Sequence, residues 1–160
     1  MRRKAKCLGS LQINGPWDAN TLKHVVIKDN VHFAGHFFLD GRGGLEIGEN
    51  CHIARGFVCY TANHQYEGDA IPYDNTLVRK KVIIEDNVWI GANVCIVPGV
   101  RICEGAVLGM GSVVVKDVPS MAIMGGNPAR VLKYRDTERY TFLCGEGRFG
   151  GTNGKLFIKK

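Results

Sequence analysis

Six hexapeptides run in unbroken register from Ile84 to Pro119: IEDNVW, IGANVC, IVPGVR, ICEGAV, LGMGSV and VVKDVP. The first position is always aliphatic (Ile84, Ile90, Ile96, Ile102, Leu108, Val114), and the fifth is always small or β-branched (Val88, Val94, Val100, Ala106, Ser112, Val118). A strict six matches neither the 3.6 period of a helix nor a plain hairpin; it marks a stacked β-solenoid. The fifth residue of one repeat and the first of the next lie two apart, as do Val88 and Ile90. Side chains two apart on a strand share a face. Each repeat is therefore a short strand with two inward side chains, followed by a turn. The turn slots hold Asp86-Asn87, Ala92-Asn93, Pro98-Gly99, Glu104-Gly105 and Met110-Gly111, residue types that tolerate turn geometry.

The pattern extends upstream. Ile27, Phe33 and Leu39 are spaced by six, with Val31 and Phe37 in the fifth position. The register slips by two around Gly43-Gly44-Leu45 and resumes at Ile47, Ile53 and Cys59. The repeat thus covers most of residues 21–119, interrupted by the polar, aperiodic segment 65–81 (QYEGDAIPYDNTLVRKK). Inserts in repeat proteins are loops, often on the binding face. The expected organisation is an N-terminal segment 1–20, a solenoid domain 21–133 with one extruded loop, and a C-terminal segment 134–160. Within the last, YRDTERYTFL reads as a short closing helix. The Gly-rich, basic tail from Cys144 reads as flexible or docked on a neighbouring subunit.

A chain of 160 residues makes one domain with a sizeable core. Most of its 21 glycines lie in the repeat region and read as turn residues rather than as a disordered tract. No apolar run reaches the roughly 18 residues of a transmembrane span, and the basic start lacks the apolar stretch of a signal peptide. A cytoplasmic protein is expected. The cysteines at 7, 51, 59, 95, 103 and 144 form no CxxC pair and read as buried or half-buried thiols. The net charge of +6 concentrates at residues 1–6, 79–81 and 130–139. No nucleic-acid-binding motif accompanies it, so a phosphate-bearing small molecule fits these clusters better than DNA or RNA.

Periodicity leaves handedness open, and the general rule for parallel crossovers favours right-handed connections. The run Val88–Lys133, with its blocks WIG, PGV, GMGSVV, KDVP and GNPARV, resembles the hexapeptide-repeat acetyltransferases. It is similar to the maltose and galactoside O-acetyltransferases and to sugar acetyltransferases of exopolysaccharide and O-antigen pathways. The resemblance covers about residues 25–134. It implies an all-β, left-handed parallel β-helix with three hexapeptides per triangular coil. It also implies acetyl-CoA as donor, a homotrimer, and active sites in grooves between subunits. The stretch DGRGGLEIGENCHIARGFVCYTANHQY matches the segment that ends, in such relatives, in a catalytic histidine just before an extended loop. That residue is His64 here. The helical N-terminal segments of serine and maltose acetyltransferases have no counterpart, which favours the sugar-pathway relatives.

Acetyl transfer to a hydroxyl or amine needs a base for the acceptor's proton, donors for the oxyanion, and a frame holding both substrates. An imidazole suits the first task near neutral pH. His64, ending a repeat and opening the loop, is the expected general base; a surface histidine at a loop edge is the alternative. Asn63, Tyr66 and Asp40 are expected on the acceptor side, Asp40 either binding sugar hydroxyls or helping to orient the base, though it reads equally well as an exposed turn carboxylate. Gly91, Ala92, Gly109, Met110 and Gly111 offer small side chains and turns where a pantetheine arm can approach the backbone. Trp89 points outward, towards the CoA groove, a subunit contact or the loop. By resemblance Lys116, Arg130 and Lys133 lie near the phosphates of CoA.

A zinc γ-class carbonic anhydrase shares the scaffold but needs three histidine ligands, two of them from a neighbouring subunit with four residues between them. No histidine follows His64, and His32 and His36, with three residues between them, precede it, so no metal is expected. A non-catalytic scaffold protein remains the other reading of the repeats alone.

Overall fold

The computed structural model describes residues 5–158; the basic residues 1–4 lie outside it. Strands two to three residues long wind as successive three-sided coils. The first coil is β1 (Lys6–Cys7), β2 (Leu11–Ile13) and β3 (Trp17–Ala19). The second is β4 (Val25–Ile27), β5 (Val31–Phe33) and β6 (Phe37–Leu39), and the third β7 (Leu45–Ile47), β8 (His52–Ile53) and β9 (Val58–Cys59). A hairpin of β10 (Ala62–His64) and β11 (Leu77–Arg79) then leaves the stack. Winding resumes with β12 (Val82–Ile84), β13 (Trp89–Ile90) and β14 (Cys95–Ile96), then β15 (Arg101–Ile102), β16 (Val107–Leu108) and β17 (Val113–Val114). The chain closes with β18 (Ala122–Gly125), β19 (Arg130–Tyr134), helix α1 (Thr137–Gly145) and a hairpin of β20 (Arg148–Gly150) and β21 (Leu156–Ile158).

Strands stack into three parallel sheets, one per face of a prism. Face A is β1-β4-β7-β12-β15, face B runs β2-β5-β8-β13-β16-β18 with β19 antiparallel at its edge, and face C is β3-β6-β9-β14-β17. The inward pairs read from the repeat are where the period puts them. Val88, Ile90, Val94, Ile96, Val100, Ile102, Ala106, Leu108, Ser112, Val114 and Val118 are all buried. They stack into columns, Ile27 on Ile47 on Ile84 on Ile102. Burying each such side chain contributes about 1.5–3 kcal/mol, so the column outweighs any single turn contact.

The two-residue slip has a geometric reading. Early coils advance by twenty residues, pairing Leu11 with Val31 and Val25 with Leu45, whereas Ile84 pairs with Ile102 eighteen on. The extra residues all lie where face C turns into face A, at 20–24 and 40–44. The hairpin arm leaves from the same corner one coil later. At the A-to-B corner, Asn30, Asn50 and Asn87 each adopt positive φ, and their amides form a ladder. Asn30 Nδ2 donates to Asn50 Oδ1 (2.8 Å) and Asn50 Nδ2 to Asn87 Oδ1 (2.9 Å). Asn87 Nδ2 continues it to Tyr140 Oη (2.7 Å), which fastens α1 to the coils.

Two segments differ from the sequence reading. Residues 6–19 form a full coil of the prism rather than a separate N-terminal segment. Leu11, Ile13 and Ala19 are only half-buried because none of the described residues forms a coil below them, which weakens the pattern. The described part of the tail packs against its own chain. Asn30 Nδ2 and His52 Nε2 both donate to Gly150 O (3.1 Å each), and Thr152 bonds Gln12.

The cysteines are free thiols; Cys51 and Cys59 are buried and the others half-buried. Burial pushes the Cys51 thiol up to about 12, so it is an inert core group.

Candidate functional site

The segment 65–81 is built as an arm, not a structureless loop. Ala62, Asn63 and His64 pair antiparallel with Arg79, Val78 and Leu77. Beyond them Gln65 N donates to Thr76 O (3.1 Å) and Asp74 N to Gln65 O (3.2 Å). Asp74 folds the tip: its carboxylate accepts from Thr76 N (2.7 Å) and Asp69 N (3.2 Å). Those backbone bonds, with a smaller contribution from nearby His64, hold the Asp74 carboxyl below the usual range. Ala62 is buried at the root, whereas Asn63 and His64 are exposed. The His64 imidazole lies against the Tyr73 ring with centroids 4.0 Å apart and planes 21° apart. The arm thus presents His64 to solvent with one ring face covered.

The root of the arm is locked to the coil beneath. Thr61 Oγ1 donates to Asp40 O (2.5 Å) and accepts from Gly43 N (2.7 Å), and Lys80 N donates to Thr61 O (2.9 Å). Gly43 has no alternative here, because a Cβ would sit 2.0 Å from Thr61 O. Asp40 departs from two of its sequence readings. It is fully buried, neither an exposed turn carboxylate nor a group that can touch a substrate in this conformation. Arg42 grips it as a fork, Nε to Oδ1 (2.9 Å) and Nη2 to Oδ2 (3.0 Å). Burial raises the Asp40 pKa, but the Arg42 hydrogen bonds and charge outweigh it, and the net shift is downward.

The residues expected at the donor come together at a different edge. Gly91, Ala92, Gly109, Met110 and Gly111 form adjacent rungs of the B-to-C corner. Gly91 N donates to Leu108 O, Gly109 N to Met124 O and Gly111 N to Ala92 O, each at 2.8 Å. A Cβ on Gly91 would meet Leu108 O and Met110 N at 2.8 Å, so only glycine permits this stacking. Met110 is 77% exposed above the turns. Arg130 pairs with Gly125 on the following rung, and Lys133 pairs with Ile123. Lys116 is separated from this set; it follows β17 at the C-to-A corner, the edge that carries the arm. The two edges are about 16 Å apart across five residues of face C at the usual strand rise.

Trp89 shares a rung with Gly91 but lines a different feature, a cleft between face B and the C-terminal segment. The outer surface of face C is apolar, with Phe38, Val58, Cys95 and Val113 half-buried in register. The Phe38 and Tyr60 rings meet there at 5.1 Å. Sequence reading did not single out Tyr73, Arg42 or Thr61. The IPYDN run marked a turn but not the ring that packs on His64. The Asp-Gly-Arg at 40–42 has the short spacing of a local ion pair, which was the available signal for Arg42.

Comparison with known proteins places this architecture. The hexapeptide repeat of succinyl-transferase matches residues 81–116. A galactoside O-acetyltransferase of Lactococcus lactis subsp. lactis is 47% identical over 124 residues, covering 73% of this chain and 59% of that protein. The structure of a maltose O-acetyltransferase from Clostridium difficile 630 superposes with a TM-score of 0.74 at 30% identity, covering 84% of this chain and 72% of that one. A hexapeptide-repeat-containing acetyltransferase from Vibrio cholerae O1 biovar eltor, complexed with acetyl coenzyme A, gives a TM-score of 0.68 at 32% identity, covering 83% and 73%. The chain belongs to the hexapeptide-repeat acetyltransferases, and its solenoid is their left-handed parallel β-helix. It spans about three-fifths of the length of the curated relatives it matches.

Proposed function

We propose that the protein transfers an acetyl group from acetyl-CoA to a hydroxyl of a sugar or polysaccharide precursor in the cytoplasm, with His64 as general base. The observation that supports this best is the presentation of His64: exposed, on a locked arm, with one ring face held by Tyr73. In this reading His64 takes the acceptor's O–H proton as its oxygen attacks the thioester carbonyl. The tetrahedral intermediate then collapses, the C–S bond breaks, and the leaving thiolate recovers the proton from the imidazolium. Asn63 and Tyr66 flank the acceptor. Asp40 acts from behind, by fixing Arg42 and the root of the arm. The pantetheine lies along the Gly91–Ala92 and Gly109–Gly111 turns, and Lys116, Arg130 and Lys133 meet the phosphates; Trp89, which faces the cleft under the C-terminal segment, takes no part in it.

The separation of the two edges gives this reading its assembly. His64 and Lys116 belong to one edge and the donor turns to another, with apolar face C between them. A ring of three chains, each laying its arm edge beside the donor edge of the next, completes the site and covers face C. Thiol release from acetyl-CoA, measured against a panel of sugars, amino sugars and nucleotide-sugars, tests the function. Release that depends on a hydroxyl acceptor is expected. Turnover of the amino sugars alone would make it an N-acetyltransferase, and no turnover with no acetyl-CoA binding would leave a scaffold protein.

A further inference from the structure

The C-terminal segment encloses a cleft that the acetyl-transfer reading does not use. Its volume is about 610 Å³, within the range of small-molecule sites. One wall is the outer surface of face B, with His52 and Trp89; the other is α1 and the β20–β21 hairpin, with Phe149. No residue of the arm lines it, nor do the Gly91–Gly111 turns, Lys116, Arg130 or Lys133.

The lining chemistry is specific. Arg135, Arg139 and Arg148 all border the cleft, and Asp136 is the one carboxylate among the lining residues. That carboxylate is already engaged as the cap of α1, accepting from Arg139 N at 2.9 Å. The cleft therefore carries surplus positive charge. The Nε of Arg135 is buried and has no hydrogen-bond partner among the described residues, a donor that a ligand oxygen would satisfy. Indole, phenyl and imidazole groups line the same space, and Trp89 keeps 56% of its surface exposed. Guanidinium groups bind phosphate oxygens as forks, while aromatic faces accept planar rings.

We propose that this cleft is a second ligand site, taking a nucleoside phosphate whose base lies on Trp89 and whose phosphate meets Arg135, Arg139 and Arg148. The site is independent of the proposed transfer reaction. It also gives the ordered tail a purpose, since Phe149 and Arg148 belong to it. A nucleoside phosphate can reach the cleft as a free molecule or as the nucleotide end of CoA, and the test separates the two.

Trp17→Phe leaves Trp89 as the sole tryptophan. Its fluorescence is titrated with UMP, AMP, uridine and inorganic phosphate, with and without saturating CoA. The expected result is saturable quenching by a nucleoside monophosphate, at least about tenfold weaker for uridine, and unaffected by CoA. Arg148→Glu and Arg139→Gln, both exposed positions, should each weaken it about tenfold or more without lowering the melting temperature. No quenching by either monophosphate at millimolar concentration would overturn the proposal. So would equal binding of uridine, full affinity in both arginine variants, or displacement by CoA, which would make the cleft part of the donor site.

Discussion

The imidazole of His64 lies on the phenol ring of Tyr73, with centroids 4.0 Å apart. The two residues are nine apart in sequence and meet because the arm folds back as a hairpin, closed at its tip by Asp74. A base that must meet an acceptor proton within hydrogen-bond reach gains from having one ring face fixed. Tyr73→Ala should lower kcat about tenfold, a loss of ~1.4 kcal/mol in the transition state, with the KM for acetyl-CoA little changed. Tyr73→Phe keeps the ring and should retain most of the activity. Steady-state kinetics on both variants separates stacking from any role of the hydroxyl.

Asp40 and Arg42 should make stability pH-dependent in acid. The folded pKa of Asp40 is depressed, so in that range the unfolded chain binds more protons than the folded one and stability rises with pH. The contribution is complete above the ordinary carboxylate value of about 4 and is lost as pH falls through the lower folded value. Asp40→Asn should flatten this part of the profile. At neutral pH, Arg42→Ala leaves a buried carboxylate without its fork and should cost about 2 kcal/mol. Denaturant melts between pH 2 and 7 check both.

Tyr140 joins α1 to the asparagine ladder, its hydroxyl donating to Glu104 Oε1 (2.9 Å) while accepting from Asn87. Burial, followed by the Glu104 bond, pushes the phenol pKa upward, so the hydroxyl keeps its proton. Tyr140→Phe should loosen α1 by about 1 kcal/mol. Hydrogen exchange should then quicken severalfold at the α1 amides and stay unchanged at face A.

The two edges of the prism predict complementation between inactive chains. His64→Ala removes the base, and Ala92→Trp obstructs the donor corner. If each site draws one edge from each of two neighbours, equal mixing of the two chains by co-expression should restore about a quarter of the sites. A site contained in one chain would show no recovery.

How much of this was legible depended on whether the determining contacts were local. Ile84, Ile90 and their successors announce the core because every coil repeats one geometry, and the position of His64 beside the one large insert was visible for the same reason. The coil at residues 6–19 was hidden because it ends the stack among the described residues, and Trp17 and Ala19 stand where the next coil carries Phe37 and Leu39. The docking of the tail rests on Gly150 meeting Asn30 and His52, polar contacts about a hundred residues apart that leave no periodic trace. The burial of Asp40 was missed because a carboxylate in an Asp-Gly-Arg turn looks solvated until Thr61 and the arm are laid over it.

The most direct test compares acetyl transfer by the wild-type chain and by His64→Ala, using the best acceptor from the sugar panel and following thiol release. A loss of at least about a hundredfold in kcat is expected, the scale of a general base. The melting temperature and acetyl-CoA affinity should stay unchanged. Undiminished turnover by His64→Ala would contradict His64 as the general base.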